Sequence, residues 1–439
     1  MTSDSHIGRR YPTLEFREED INRGFELFID SIAADRPDVF IHGGDLFDTV
    51  FPPGNIFDRG LSLIQSIPQP EEPVTIRELV HGESNPSNIF ITHGNHDGTA
   101  DARCDSGYFS VIKYFDSMSL CNYMDVRKRG EEIYIPRFVV EGGGISLGLQ
   151  GLGHRSISQF QNLFSIVEPI ENVDANVLVI HQSVAELTAP YTPGEILPLD
   201  LFADRGFNLV LAGHTHKIGD DRVGGTRFIV PGSSERIDSG EFGEGKGYYL
   251  IRVGPGGDIE AGLRKIDVDQ IRKIRKYEVD VDGLSGSEIT DQCVGAVTDP
   301  DLMDALVYFL LRGHTPHGHM DVDRKDVEDR LVERGARAVK VNTEKVVRKD
   351  IGELMERGDI SIKVTEETFQ KLFAERTIRD LSGTPIRDPS VIALLSRAAY
   401  GIFRAYEREE KQDVQSILEK ELLGIAEAIH REEAGSDED

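Results

Sequence analysis

Hydrophobic and polar positions follow two textures along the chain. Up to about residue 255, short apolar runs end in polar clusters and are separated by helical stretches. "DVFIHGGD" (38–45), "NIFITHGNHD" (88–97), "ANVLVIHQS" (175–183) and "FNLVLAGHTH" (207–216) each read as a buried strand that stops at a polar group. Ile21, Phe25, Ile29 and Ile32 recur at spacings of three and four, which predicts an amphipathic helix over 17–35. Strands alternating with helices predict an α/β fold, a β-sandwich flanked by helices. "GPGG" (254–257) marks a turn or linker. From about 260 to 385 the pattern is that of a smaller α+β region, with "ARAVKVN" (336–342) as a strand candidate. Two amphipathic helices are then predicted within 388–431, one carrying Val391, Leu395 and Ile402, the other Ile417, Leu422 and Ile425. The chain therefore divides into domains over 1–255 and 260–385, a helical pair over 388–431, and an acidic tail over 432–439.

Composition narrows the class. Hydrophobic residues at 39% and charged residues at 29% describe a soluble globular protein of 439 residues. No apolar run approaches the roughly 18 residues of a membrane span, and no basic-then-apolar leader opens the chain. Cys104, Cys121 and Cys293 form no C-x-x-C pair, which fits a reducing cytoplasm. The 77 acidic residues outweigh 49 basic ones, for a net charge of −28. Such a surface stays hydrated and dispersed in concentrated salt, so the bias reads as adaptation to a saline habitat. It does not exclude nucleic acid, because a metal centre or a local basic groove overrides net charge.

The chemistry lies where the strands end. Asp45 closes one strand, Asn95 and His96 follow the next, His181 the third, and His214 and His216 the fourth. Asp4 and His6, in the opening "MTSDSHIG", add another carboxylate and imidazole. In open α/β sheets, ligands gather beyond the carboxyl ends of strands, so these groups can converge. Seven of them suffice for two cations sharing a bridging Asp45, at the spacing of about 3.5–4 Å used for phosphoryl transfer. Two such cations polarise a phosphoryl oxygen and ready a water for in-line attack. His96, beside Asn95, is suited to protonate the leaving oxygen. A mixed Asp/Asn/His shell suits manganese, iron or zinc.

The ordered motifs D-S-H, G-D-L-F-D, G-N-H-D, H-Q and G-H-T-H resemble those of calcineurin-type metallophosphoesterases. Within that superfamily the chain is most similar to the meiotic recombination eleven and SbcD family of DNA double-strand break repair nucleases. The match rests on the first 255 residues. "VDVDGLSGSEI" and "ALVYFLLRG" resemble the family's capping domain less specifically. The resemblance implies that Asp4, His6, Asp45 and His216 hold one metal, and that Asp45, Asn95, His181 and His214 hold the other. It implies two divalent ions, with Mn2+ as the working metal, and His96 at the leaving group. It also implies a homodimer formed by helices of the first domain, action on double-strand DNA ends near the nucleoid, and a Rad-type coiled-coil ATPase bound by helices such as 388–431.

Two departures from the family stand out. Asp48 occupies a position where many members carry histidine, and it is expected to orient His96 through a charge-assisted hydrogen bond. Asp4 and His6 follow only Met-Thr-Ser, where an apolar strand is expected, so the natural chain is expected to begin several residues upstream of an internal methionine. Should the 439 residues be the whole protein, Asp4 and His6 are expected to sit on a frayed terminus and one metal to bind weakly. His42 and His93, inside predicted strands, read as packed or supporting residues. The "HTPHGHMD" cluster (His314, His317, His319) lacks partner cysteines and reads as no metal site. "IRKIRK" (271–276) is a basic run with two readings, contact with phosphates or, the one preferred, balance of neighbouring carboxylates. Two rival functions keep the same residues: a phosphodiesterase for small diesters, and a scaffold that tethers DNA ends without cutting.

Overall fold

A computed structural model describes residues 1–82, 85–100, 108–185 and 196–348. The expected helices over 388–431, the tail 432–439, Cys104 and the part of the second domain beyond 348 lie outside the described residues. The chain forms two compact units, one comprising Met1–Gly313 with His319–Val346, the other His314–Gly318 with Val347–Asp439. In the second, the Thr315 hydroxyl donates to the Gly318 carbonyl at 2.8 Å and closes a turn.

Within the first unit, two sheets face each other. One contains the parallel strands Phe40–His42, Ile89–Ile91 and Asn122–Tyr123. The other has seven strands in the order Gly219–Val223, Thr226–Val230, Leu209–Gly213, Ala175–His181, Ile145–Leu152, Phe138–Gly142, Thr75–Glu78. Its centre is parallel and both edges are antiparallel.

Alternation along the strands sorts the side chains into layers. Ile41 and Phe90 of the first sheet meet Val177, Val179, Leu209 and Leu211 of the second in the central core. Phe40, Ile89 and Ile91 point the other way, onto Phe25, Phe28, Ile29 and Ile32 of the helix Phe16–Asp35. Leu178, Ile180 and Val210 likewise pack on Phe160 and Phe164 of the helix Ile157–Phe164. The α/β sandwich with flanking helices is thus the observed architecture. The first helix takes the periodicity that predicted it and stops at Arg36, whose φ of 44° is left-handed.

Residues 1–3 fill the slot where a strand was expected. Thr2 pairs in parallel with His42, and Met1 exchanges two backbone hydrogen bonds with Tyr249, at 2.9 and 3.1 Å. Tyr249 lies in the strand Lys246–Val253, which pairs antiparallel with Ile259–Ile266. The "GPGG" turn is the loop of that hairpin. Ile259, Ala261 and Leu263 beyond it pack against the central core, so that core continues past residue 255.

A further sheet of Ile274–Asp280, Leu306–Thr315 and Ala338–Arg348 carries the helices Gly286–Ala296 and Arg324–Val332. It has its own core, including Val279, Ile289, Phe309, Val327 and Leu331. The basic run ahead of it is spent on acids: Arg272 pairs with Asp20 and Asp304, Lys273 with Asp301, and Arg275 with Asp269 and Asp299.

Phe90 is fully buried and meets Phe138 edge-on at 5.4 Å. Phe90→Ala should destabilise the domain by about 3–5 kcal/mol, since buried phenylalanine leaves a cavity between two rigid sheets. Ile166→Ala, at a residue 68% exposed, should stay within about 0.5 kcal/mol. Urea unfolding followed by circular dichroism measures both; equal losses would contradict the layer assignment.

Candidate metal centre

Each candidate ligand leaves its strand at the same end. Asp4 and His6 follow the short parallel segment at residues 1–3, Asp45 follows Phe40–His42, Asn95 and His96 follow Ile89–Ile91, His181 ends Ala175–His181, and His214 and His216 follow Leu209–Gly213. Asp4, His6, Asp45 and His214 all adopt positive φ, between 47° and 78°. Non-glycine residues pay roughly 1–3 kcal/mol for such a backbone, so the fold holds them there against their preference. Gly44 (φ 101°) lets two loops meet: a Cβ there would lie 2.4 Å from His181 Nδ1 and 2.9 Å from the Gly94 nitrogen. At Gly94 a Cβ would fall 2.0 Å from Asp45 Oδ1.

All seven expected ligands are brought together. Asp4, His6, Asp45 and His181 form a buried floor, while Asn95, His214 and His216 stand at the open side. Asp4, His6 and His216 offer donor atoms within 4.8 Å of one another, and so do Asp45, His181 and His214. Asn95 Oδ1 lies 3.3 Å from His181 Nε2 and 2.8 Å from His214 Nδ1, which places it with the second group. Asp45 Oδ2 sits between the groups, 3.2 Å from His181 Nε2 and 3.8 Å from His6 Nε2. Its other oxygen accepts the His96 backbone N–H at 2.8 Å.

The expectation that Asp4 and His6 sit on a frayed end is corrected. Both are fully buried, and their backbone nitrogens donate to the Gly44 and Asp45 carbonyls at 3.0 Å each. Parallel pairing with the 40–48 segment holds both residues in place.

The donor set fits divalent cations on a direct geometric ground. His6 Nδ1 faces Asp48 Oδ1 at 3.0 Å and His216 Nδ1 faces Glu241 Oε1 at 2.8 Å. Each carboxylate accepts a hydrogen bond from Nδ1–H, which in the neutral rings leaves both Nε2 atoms as acceptors facing each other across 3.2 Å. Two acceptors so placed, beside two carboxylates, call for a positive charge between them. Without a metal, protons supply part of it. Burial depresses His181, but Asp45 and Asp4 outweigh burial and push its pKa up to about 9. Burial lowers His214 to about 3, reinforced by the neighbouring His181.

His96 joins His6 and Asp45 in a third close group and is one-third exposed at the cavity edge. The expected Asp48–His96 pair is present at 3.3 Å but is not exclusive. Asp48 Oδ1 lies nearer to Arg9, at 2.8 Å, and to His6, at 3.0 Å. His42 and His93 are supporting residues. His42 Nε2 meets the Ser5 hydroxyl at 2.9 Å, His93 Nδ1 meets the Tyr123 hydroxyl at 2.7 Å, and burial lowers each to about 3. Among the described residues, no potential ligand group includes His314, His317 or His319.

Sequence reasoning missed three contributors. Asp97 closes the quoted "GNHD", and its carboxylate ties two loops by accepting the Gly94 and Leu46 backbone N–H groups at 2.7 Å. Burial, with the charge of Asp45 nearby, pushes its pKa up to about 7. Its place in the motif was the available signal. Arg9 carried a weaker one, adjacency to "DSHIG". Glu241 carried none, because it stands 25 residues from His216 in a glycine-rich loop.

Residues 1–218 match the family model of the calcineurin-like phosphoesterases. The DNA double-strand break repair protein Mre11 of Methanococcus maripaludis is 28% identical over 276 residues, covering 61% of this chain and 66% of that one. The Mre11 proteins of Methanocaldococcus jannaschii and Sulfurisphaera tokodaii are 26% and 27% identical, over 61% and 62% of this chain. The chain spans 65% and 62% of the length of those two, slightly under two thirds. Among solved structures, the calcineurin-like phosphoesterase YfkN of Bacillus subtilis has a TM-score of 0.30 and 11% identity, covering 60% of this chain and 88% of that one.

A donor set of this composition should gain stability from a bound cation. A divalent ion such as Mn2+ at a hundredfold excess over Kd should stabilise the fold by about 2.7 kcal/mol per site. The melting temperature should therefore rise with Mn2+ and fall again with EDTA, and Asp45→Ala should remove most of the response. An unchanged melting temperature in saturating metal would contradict the assignment. The sandwich, the shared strand-end geometry and the match over 1–218 agree: residues 1–218 form a calcineurin-like phosphoesterase domain.

Proposed function

We propose that this chain is a Mn2+-dependent DNA nuclease that hydrolyses phosphodiesters at or near double-strand ends, in break repair with a Rad-type coiled-coil ATPase. The observation that carries the reading is the convergence of two carboxylates, an amide and four imidazoles around Asp45 Oδ2, in a phosphoesterase domain whose relatives bear the name of a DNA double-strand break repair protein. Asp4, His6, Asp45 and His216 would hold one ion, and Asp45, Asn95, His181 and His214 the other. Bound there, such ions polarise the phosphoryl group and ready a water for attack. His96 turns Nδ1 toward the Asp48 carbonyl and carboxylate, both at 3.3 Å, which leaves Nε2 for the leaving oxygen. Direct coordination of a phosphate also suits an acidic surface in salt, where screened contacts lose most of their strength.

The 274–348 sheet and its helices are the proposed cap, and 388–431 the proposed ATPase-binding helices. For the homodimer, the support is an apolar cleft of about 480 Å³ between the helices Gly54–Gln65 and Ile112–Ser117, lined by Phe51, Phe57, Phe109, Tyr114 and Met118. Phe51, Tyr114 and Met118 are 73%, 54% and 46% exposed, a patch that a second copy would cover.

Linear duplex DNA should be degraded in Mn2+ and concentrated KCl. His96→Ala should slow it by about 10²–10⁴-fold, the usual worth of a positioned proton donor, with metal stoichiometry unchanged. Consumption of a small diester but not of duplex DNA would move the reading to a small-molecule phosphodiesterase. End binding without cutting would move it to a scaffold. The double substitution Tyr114→Asp with Met118→Asp should halve the mass seen by light scattering; an unchanged dimer would place the interface elsewhere.

A further inference from the structure

We infer that the two cation sites are unequal by construction, and that Glu241 and Asp48 make the Asp4, His6, Asp45, His216 site the tighter one. The inference rests on the dimetal reading above.

The asymmetry lies behind the ligands. Both imidazoles of the first site carry a carboxylate on the ring nitrogen that faces away from the cavity: Asp48 behind His6 at 3.0 Å, and Glu241 behind His216 at 2.8 Å. A carboxylate in that place fixes the tautomer, holds the ring plane and makes Nε2 a stronger donor to a metal. The second site has neutral support. His181 Nδ1 meets the Gly43 carbonyl at 2.8 Å, while His214 turns Nδ1 toward its fellow ligand Asn95 and, among the described residues, has no carboxylate hydrogen-bonded to its ring. Asn95 is itself an uncharged ligand. Asp45 is common to both sites, so it does not separate them. Asp4 Oδ1 lies 3.9 Å from both His216 Nε2 and His181 Nε2, so what separates the sites is the two supporting carboxylates of the first and the uncharged Asn95 of the second.

Glu241 is held for this task. It is buried, and its Oε1 accepts the Ile237 and Asp238 backbone N–H groups at 3.2 and 3.1 Å besides the imidazole. Its Oε2 accepts the Ser233 hydroxyl at 2.6 Å and the Lys246 ammonium. Lys246, also buried, donates to Ser233 Oγ at 2.7 Å and to the His216 carbonyl at 3.2 Å. The ion pair is thus tied to both the side chain and the backbone of His216. A buried ion pair is a poor source of stability, because desolvation offsets its attraction. Its contact with the cavity runs through the His216 ring. Asp238, 60% exposed and 3.9 Å from His216 Nδ1, is too distant to replace it. Glu241 and Asp48 act here as positioning residues.

A merely structural Glu241 would pin its loop, and its loss would lower stability without choosing between the sites. The full chain is titrated with Mn2+ by calorimetry and by the electron paramagnetic resonance of free Mn2+. Two classes of site are expected. Glu241→Gln and Asp48→Asn should each weaken the tight class about ten- to a hundredfold and leave the weak class unmoved. His214→Ala should remove the weak class and spare the tight one. If Glu241→Gln alone fails to fold with Lys246 unpaired, the double variant with Lys246→Met removes both charges, and Asp48→Asn tests the same asymmetry from the other imidazole. Equal classes, loss of the tight class in His214→Ala, or equal weakening of both classes by Glu241→Gln would overturn the inference. A chain that bound no Mn2+ would instead overturn the dimetal reading.

Discussion

The parallel backbone pairing of residues 2–7 with 41–48 is the interaction on which the rest of the site depends. Gly43 donates to Thr2, Asp4 to Gly44, His6 to Asp45 and Ile7 to Leu46, all within 2.9–3.0 Å. That ladder sets Asp4 and His6 against Asp45 with no freedom to slide, since a slip of one residue would turn both ligands to the wrong face. It also explains how the opening residues hold the ligands in place. Ile7 is buried in the helix-side core, and Met1 packs against the central core and pairs with Tyr249, so the segment is anchored at both ends.

Much of this was legible because periodicity and motif position carry local information. The four strands, the first helix and the ligands after each strand follow from apolar runs that stop at Asp45, Asn95, His181 and His214. Sequence spacing does not report what lies behind a ligand. Asp48 could be seen as a third group for a histidine, but which one depended on a loop geometry that puts it nearer His6 than His96. Glu241 and Lys246 reach His216 from the loop and hairpin that follow, a contact no local pattern encodes. The turn at 254–257 misleads for a related reason. A glycine-proline cluster reads alike as hairpin loop or linker, and only the pairing of Lys246 with Ile266 through Val253 with Ile259 tells them apart.

Charge shows a similar division between composition and place. The net charge of −28 describes the surface as a whole. Inside, arginines are placed against acids: Arg17 and Arg272 share Asp20, Arg272 also reaches Asp304, and Arg155 is bidentate on Asp125 at 2.8 Å. Buried pairs of this kind are screened far less by salt than surface ones. They keep their geometry where exposed bridges weaken.

The left-handed backbones of Asp4, His6, Asp45 and His214 show what the fold gives up for the centre. Strained residues, facing imidazole nitrogens and carboxylates within 4 Å are each unfavourable in a folded chain without a counter-charge. They persist because packed sheets on either side leave them no other arrangement. A cation relieves the electrostatic part of that cost at once, while the backbone strain has already been met by folding. The site is therefore organised before anything binds, and little rearrangement stands between an arriving phosphate and the groups that must act on it.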